Sequence, residues 1–154
     1  MSIPENFEKL TGEWMGTNRL HVPWMADDPI KESNSNASIS FAANAKFFKL
    51  EYDWVYEGQR QEGLLIIFVD KESKASMVWF DSWHQSAGFM NCEGTFSDGK
   101  ISVKGFYKVP EHPDWGWRTD LETEDSDSFK STMYNVSPEG QEDLAVEGNF
   151  QRKA

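Results

Sequence analysis

Asp81 and His84 stand three residues apart in the densest aromatic stretch of the chain, Met77 to His84, which also holds Trp79, Phe80 and Trp83. A carboxylate beside an imidazole can exchange a proton, and an apolar surround would move both pKa values, so the two form a candidate acid–base pair. Residues three apart on a regular strand nevertheless point to opposite faces. Without a bulge, one of them lies inside and hydrogen-bonded while the other faces solvent. The spacing favours one buried polar group over a dyad, and no catalytic residue is assigned.

A second kind of chemistry is recognition of a flat or apolar molecule. Tyr52, Trp54 and Tyr56 share one face of an alternating stretch, and each carries an apolar body with a polar tip. Most such positions are plain core. A binding cavity differs from a core by a few convergent polar groups that lack a protein partner, since each unpaired polar atom buried there costs about 1–3 kcal/mol. Asn18, Tyr52 and one of Asp81 or His84 are the candidates. The expected lining is Asn18, Tyr52, Trp54, Trp79, Asp81, His84, Met90 and Trp117. A slip of one residue on the strand near 80 would exchange Trp79 and Asp81 for Phe80 and His84.

Other polar groups carry less. Glu122 to Asp127 is rich in hard oxygens, but it lacks the spacing and the glycine of a calcium loop and reads as a solvated hairpin tip. No two His or Cys stand at zinc-ligand spacing, and Cys92, between Met90 and Gly94 on an apolar register, reads as a small hydrophobe. No phosphate loop or nucleophile elbow occurs, and no metal or cofactor is expected.

These residues need strands to position them. Even positions Phe48 to Tyr56 are apolar or aromatic against Lys49, Glu51 and Asp53, the period of two of a half-buried strand. The same pattern predicts strands at 13–24, 36–43, 46–56, 60–70, 75–84, 86–97, 100–109, 116–123, 128–136 and 143–152, about ten in all. Only Pro4 to Leu10 reads as helix, with Pro first, Glu5 and Glu8 near the positive end and Phe7 with Leu10 on one side. Short polar turns such as Glu57-Gly58-Gln59 and Ser97-Asp98-Gly99 join most strands as hairpins. The longer connections at 25–35 and 110–114 are where a mouth would lie. A meander of this size removes its edges by closing into a barrel. One all-β domain over 1–154 is therefore expected, an antiparallel up-and-down barrel with a short N-terminal helix.

Gly12-Glu13-Trp14 opens the first strand, and Arg152 ends the last after Leu144, Val146, Gly148 and Phe150. That pairing resembles the calycin superfamily of lipocalins, fatty-acid-binding proteins and nitrobindin-like barrels, in which a Gly-x-Trp packs under an Arg of the final strand. Trp79-Phe80-Asp81-Ser82 and Ser137-Pro138-Glu139-Gly140 add a resemblance to its uncharacterised bacterial families. The resemblance implies a calycin-like barrel that holds a small ligand, with Trp14 and Arg152 as a structural plug. It departs from the family at two points. Phe150-Gln151-Arg152 does not repeat the Arg-x-Tyr that holds a fatty-acid carboxylate. His21, His84 and His112 all lie before the last quarter of the chain, where nitrobindin-like barrels place their haem ligand.

Charge narrows the partners. Fifteen Lys and Arg against 26 Asp and Glu give a net charge of −11, which opposes nucleic acid and anionic membranes. The longest apolar run, Leu64 to Val69, is far short of a membrane span. A lone cysteine and the absence of a leader pattern at Met1 to Leu10 suggest a cytoplasmic protein. The leading expectation is a non-enzymatic barrel holding a small apolar or aromatic molecule. An enzyme using Asp81 or His84 as its titrating group stands second. A filled barrel acting through its surface, with a homodimer left open, stands third.

Overall fold

The computed structural model describes residues 3–85 and 88–154. A one-turn helix, α1 (Glu5–Glu8), leads into β1 (Gly12–His21), β2 (Ile30–Ala42), β3 (Phe47–Tyr56), β4 (Gln59–Val69) and β5 (Lys74–Asp81). The chain continues through β6 (Met90–Ser97), β7 (Lys100–Tyr107), β8 (Trp115–Asp125), β9 (Ser128–Val136) and β10 (Glu142–Arg152). Each strand pairs antiparallel with the next, and β10 returns to pair with β1, so the ladder closes and leaves no edge. This is the expected up-and-down barrel.

The apolar alternation decides which face turns inward. Trp14, Asn18 and Leu20 of β1, Phe48, Leu50 and Trp54 of β3, and Met77, Trp79 and Asp81 of β5 are all buried. The fifth strand therefore presents Trp79 and Asp81 to the interior, with Phe80 outside. Gly16 and Gly94 sit on the inward register, where a Cβ would lie 1.8 Å from the carbonyl oxygen of Asn149 or Ser102. Only glycine lets the adjoining strand come so close as the sheet curls.

One end of the barrel is stoppered by α1. Phe7 meets Phe48 and Phe96 edge-on at centroid distances of 5.8 and 6.1 Å, with Ile3 and Leu10 buried beside it. The same end carries the Trp14–Arg152 contact, where the seam between first and last strands begins. Trp14 is fully buried, its indole N–H donates to the Leu10 carbonyl at 2.9 Å, and the Arg152 guanidinium lies 4.5 Å from its ring centroid. Arg152 also donates to the carbonyls of Lys9, Thr11 and Ser126. Asp127 adds a side-chain acceptor at 3.3 Å, so the acidic hairpin tip between β8 and β9 serves to hold this arginine.

Several boundaries differ from those expected. β2 begins at Ile30 rather than 36, which shortens the mouth loop to 22–29. Its first half is too polar to read as a strand because it pairs with β1 alone: the β2–β3 ladder stops at Ala37↔Tyr52. Beyond that point, Ser33 and Ser35 hydroxyls and the Asp53 carboxylate take over the backbone hydrogen bonds. β1 ends at His21, leaving Trp24 73 % exposed in the loop. β5 stops at Asp81 and β6 starts at Met90, so the expected continuations to 84 and from 86 are loop where they fall within the described residues. Among the described residues no helix is long and apolar enough to cross a membrane.

Candidate functional site

The end opposite α1 is ringed by the loops after β1, β3, β5, β7 and β9. Asp81 closes β5 just below it. Its buried carboxylate accepts four hydrogen bonds. The Tyr52 hydroxyl donates at 2.6 Å and the Trp54 indole at 3.3 Å, both to Oδ2, while the backbone N–H groups of Trp83 and His84 donate to Oδ1 at 2.8 and 3.0 Å. The Trp79 indole donates to the Tyr52 oxygen at 3.0 Å, extending the network by one member. Burial, followed by the adjacent Asp81 charge and hydrogen bond, raises the Tyr52 pKa well above the ordinary phenol value, so Tyr52 stays a donor.

The two backbone bonds to Asp81 explain what strand geometry could not. They turn the chain sharply after β5 and bring His84 back over the barrel axis instead of leaving it on the outer face. The expectation that one of Asp81 and His84 faces solvent is thereby corrected. His84 is half-buried with its ring among four indoles, Trp83 at 4.8 Å, Trp79 and Trp117 at 5.2 Å and Trp54 at 5.8 Å between centroids. Trp79 and Trp117 are stacked on each other at 5.3 Å.

Below this cage lies a small inner cavity of about 20 Å³, bounded by Asn18, Tyr52, Trp54, Asp81 and His84 on one side. Leu50 completes that side, and Met133 and Ser131 of β9 with Val146, Gly148 and Phe150 of β10 form the rest. A space of that size holds about one water molecule. Of the eight residues expected to line the lumen, five border this cavity, while Trp79 and Trp117 stack above it around His84. Met90 does not reach it. Its side chain fills the space beside Gly105 and its backbone pairs with Trp79.

The β9 and β10 side of the wall was missed, although the alternation Phe129, Ser131, Met133 and Val146, Gly148, Phe150 carries the signal. Thr119, inward on β8 and paired with Met133, was missed as well. Asn18 Nδ2, Trp117 Nε1 and Thr119 Oγ1 are buried without a hydrogen-bond partner among the described residues. Groups so placed cost free energy unless something else satisfies them. Cys92 is buried beneath, and desolvation pushes its thiol up to about 12, leaving it inert as a nucleophile.

A family model described as "Protein of unknown function (DUF1579)" matches residues 4–152. The chain belongs to the DUF1579 family. No curated protein matches its sequence. Among solved structures, this DUF1579 barrel is similar to Rv2717c from M. tuberculosis, with a TM-score of 0.64 and 11% identity over 99% of each chain. It is also similar to the S-type phycobiliprotein lyase CPES from Guillardia theta, with a TM-score of 0.62 and 17% identity over 100% of this chain and 94% of the other. At such identities the likeness is one of fold.

The cage makes the DUF1579 barrel sensitive to acid. Desolvation lowers the His84 pKa below the ordinary value of 6.5, with the Asp81 charge opposing in part. The unfolded chain thus takes up this proton more readily than the folded one. The contribution is fully present above pH 6.5 and is lost as pH falls through that value towards the folded pKa. Urea denaturation at a series of pH values should show stability declining below about pH 6.5, and His84→Gln should flatten that part of the curve. An unchanged slope in the variant would assign the titration to another group.

Proposed function

We propose that this barrel binds one small, planar, largely apolar molecule at its mouth, in the place where His84 now rests between Trp54, Trp79 and Trp117. The observation that carries the reading is the cage itself. An imidazole whose charging burial disfavours, set beside the Trp117 indole and bordering one cavity with the Asn18 amide, both without a hydrogen-bond partner among the described residues, occupies a site shaped for a flat ring with hydrogen-bond acceptors. The inner cavity alone is too small for such a molecule. His84 and Trp83, both on the connection after β5, must move aside to admit it, and the lumen side chains can stay as they are. The calycin-like features of the sequence support the reading. The barrel shared with a protein named a phycobiliprotein lyase is consistent with it. An acid–base role has less support, because the Asp81 carboxylate is already engaged by four donors.

The neutral fluorophore N-phenyl-1-naphthylamine provides the test. Titrated into the protein, it should quench tryptophan emission saturably with one molecule per barrel. Trp54→Ala should weaken that binding, and His84→Ala, which empties the slot, should tighten it about tenfold, a difference of about 1.4 kcal/mol. If neither wild type nor His84→Ala binds the fluorophore saturably, the lumen reading fails.

A further inference from the structure

Three polar side chains on the inward registers of β1 and β8 are more than nine-tenths buried, and each has an atom without a hydrogen-bond partner among the described residues. They are Asn18, Trp117 and Thr119, at 6, 8 and 1 % exposure. The unpaired atoms of the first two, Asn18 Nδ2 and Trp117 Nε1, only donate, so what they lack is an acceptor. Asn18 stands where the inner wall is lowest. Its neighbours along the row are Gly148 of β10 and Ser131 of β9, and a Cβ at 148 would lie 2.9 Å from the Phe150 ring. Glycine there keeps open the cavity of about 20 Å³ that Asn18 and Ser131 border. A filled core would place leucine at 18, which has the same branched outline and no polar atom to leave unpaired.

The charge of the lumen narrows the acceptor. Asp81 borders the same cavity, and its carboxylate already accepts from Tyr52, Trp54 and two backbone N–H groups, which fills its two oxygens. The other buried charged residue among those described, Asp120, alternates with inward Thr119 and Leu121 and is held on the outer face by Ser102 and Arg118. No Lys or Arg among the described residues is buried in the lumen. A carboxylate or phosphate brought beside Asp81 would meet a like charge with no cation to offset it, whereas a carbonyl oxygen would not.

We propose that the molecule held at the mouth is neutral and enters with a carbonyl-type acceptor foremost. Its oxygen fills the inner cavity and accepts from the Asn18 amide, while its ring takes the place of His84 beside Trp117. A space that holds about one water molecule suits one such oxygen. The inference rests on the lumen reading above and adds the polarity and charge of the leading group.

Three naphthalenes of similar shape provide the test: 2-acetylnaphthalene with a neutral acceptor, 2-ethylnaphthalene with none and 2-naphthoate with a negative charge. Each is titrated against N-phenyl-1-naphthylamine bound to the wild type and to His84→Ala, and displacement is read from the fluorophore emission. The ketone should bind about tenfold tighter than the hydrocarbon, although the hydrocarbon leaves water more readily and a plain apolar slot would give the reverse order. The carboxylate should bind at least about tenfold more weakly than the ketone. Asn18→Leu, checked for folding by circular dichroism, should abolish the preference for the ketone and leave the affinity for the hydrocarbon within about threefold. Should that variant not fold, the order of the three compounds in the unaltered cavity decides alone. A hydrocarbon or carboxylate that binds as well as the ketone would overturn the proposal, as would a ketone preference that survives in folded Asn18→Leu. In those cases the fluorophore still binds and the lumen reading stands; if the fluorophore binds neither protein, both fall.

Discussion

Replacing Trp14 by alanine should cost about 3–5 kcal/mol, the largest loss from any single side chain on the closing seam. Three contacts are lost together. The indole is fully buried against Phe129, edge-on at 4.9 Å, its N–H satisfies the Leu10 carbonyl, and its face supports the Arg152 guanidinium. Removing it opens a cavity where β1 meets β10 and leaves a carbonyl without its donor. For a chain of this length each kcal/mol corresponds to about 2–4 °C in Tm, so the melting temperature should fall by about 6–20 °C. A thermal melt superimposable on that of the wild type would show that the ring is not packed as described.

The second large effect is expected at Asp81. Asp81→Ala removes the acceptor of the Tyr52 hydroxyl, the Trp54 indole and the backbone N–H groups of Trp83 and His84 at once. At about 1–3 kcal/mol for each donor that stays buried, the loss should reach about 3–5 kcal/mol, less whatever is regained as the freed turn moves out to water. Tyr52→Phe is the matched control. It deletes one donor to the carboxylate and the acceptor of the Trp79 indole N–H, keeps the carboxylate and should cost about 1–3 kcal/mol. The two variants should also differ spectroscopically, because only the loss of Asp81 releases Trp83 and His84 from the cage. Tryptophan emission should shift to the red in Asp81→Ala and hardly move in Tyr52→Phe. Equal stabilities and equal spectra would mean that the carboxylate does not hold the turn.

How legible these features were in the sequence differed from residue to residue. The ten strands could be read because the inward register is apolar almost without interruption, and hairpin turns such as Ser97-Asp98-Gly99 mark the reversals. Trp14 and Arg152 could be paired across the whole chain through a family resemblance, and the guanidinium does lie over the indole. The polar stretch from Lys31 to Ser35 could not be read as strand, since on its β3 side the hydroxyls of Ser33 and Ser35 bond the β3 backbone in place of a backbone ladder. His84 was misplaced for a related reason. Strand periodicity says where a side chain points while the strand lasts, and β5 ends at Asp81. The turn that redirects His84 depends on a carboxylate accepting two backbone N–H groups, an interaction with no periodic trace. The unpartnered Thr119 was equally hidden, because threonine on a strand looks the same with or without a partner.

The seam between β1 and β10 bears on how fast this protein reaches its native state. Every other pairing in the barrel joins neighbours in the chain through a short connection and can form locally. The tenth brings residue 14 against residue 152, and its loop-closure entropy is repaid only once both strands are in place. A fold whose last step is its longest-range contact belongs among the slow folders of its size. Until that step is complete, β1 and β10 each expose an open edge, so the half-closed sheet is the species most prone to associate with others of its kind during refolding.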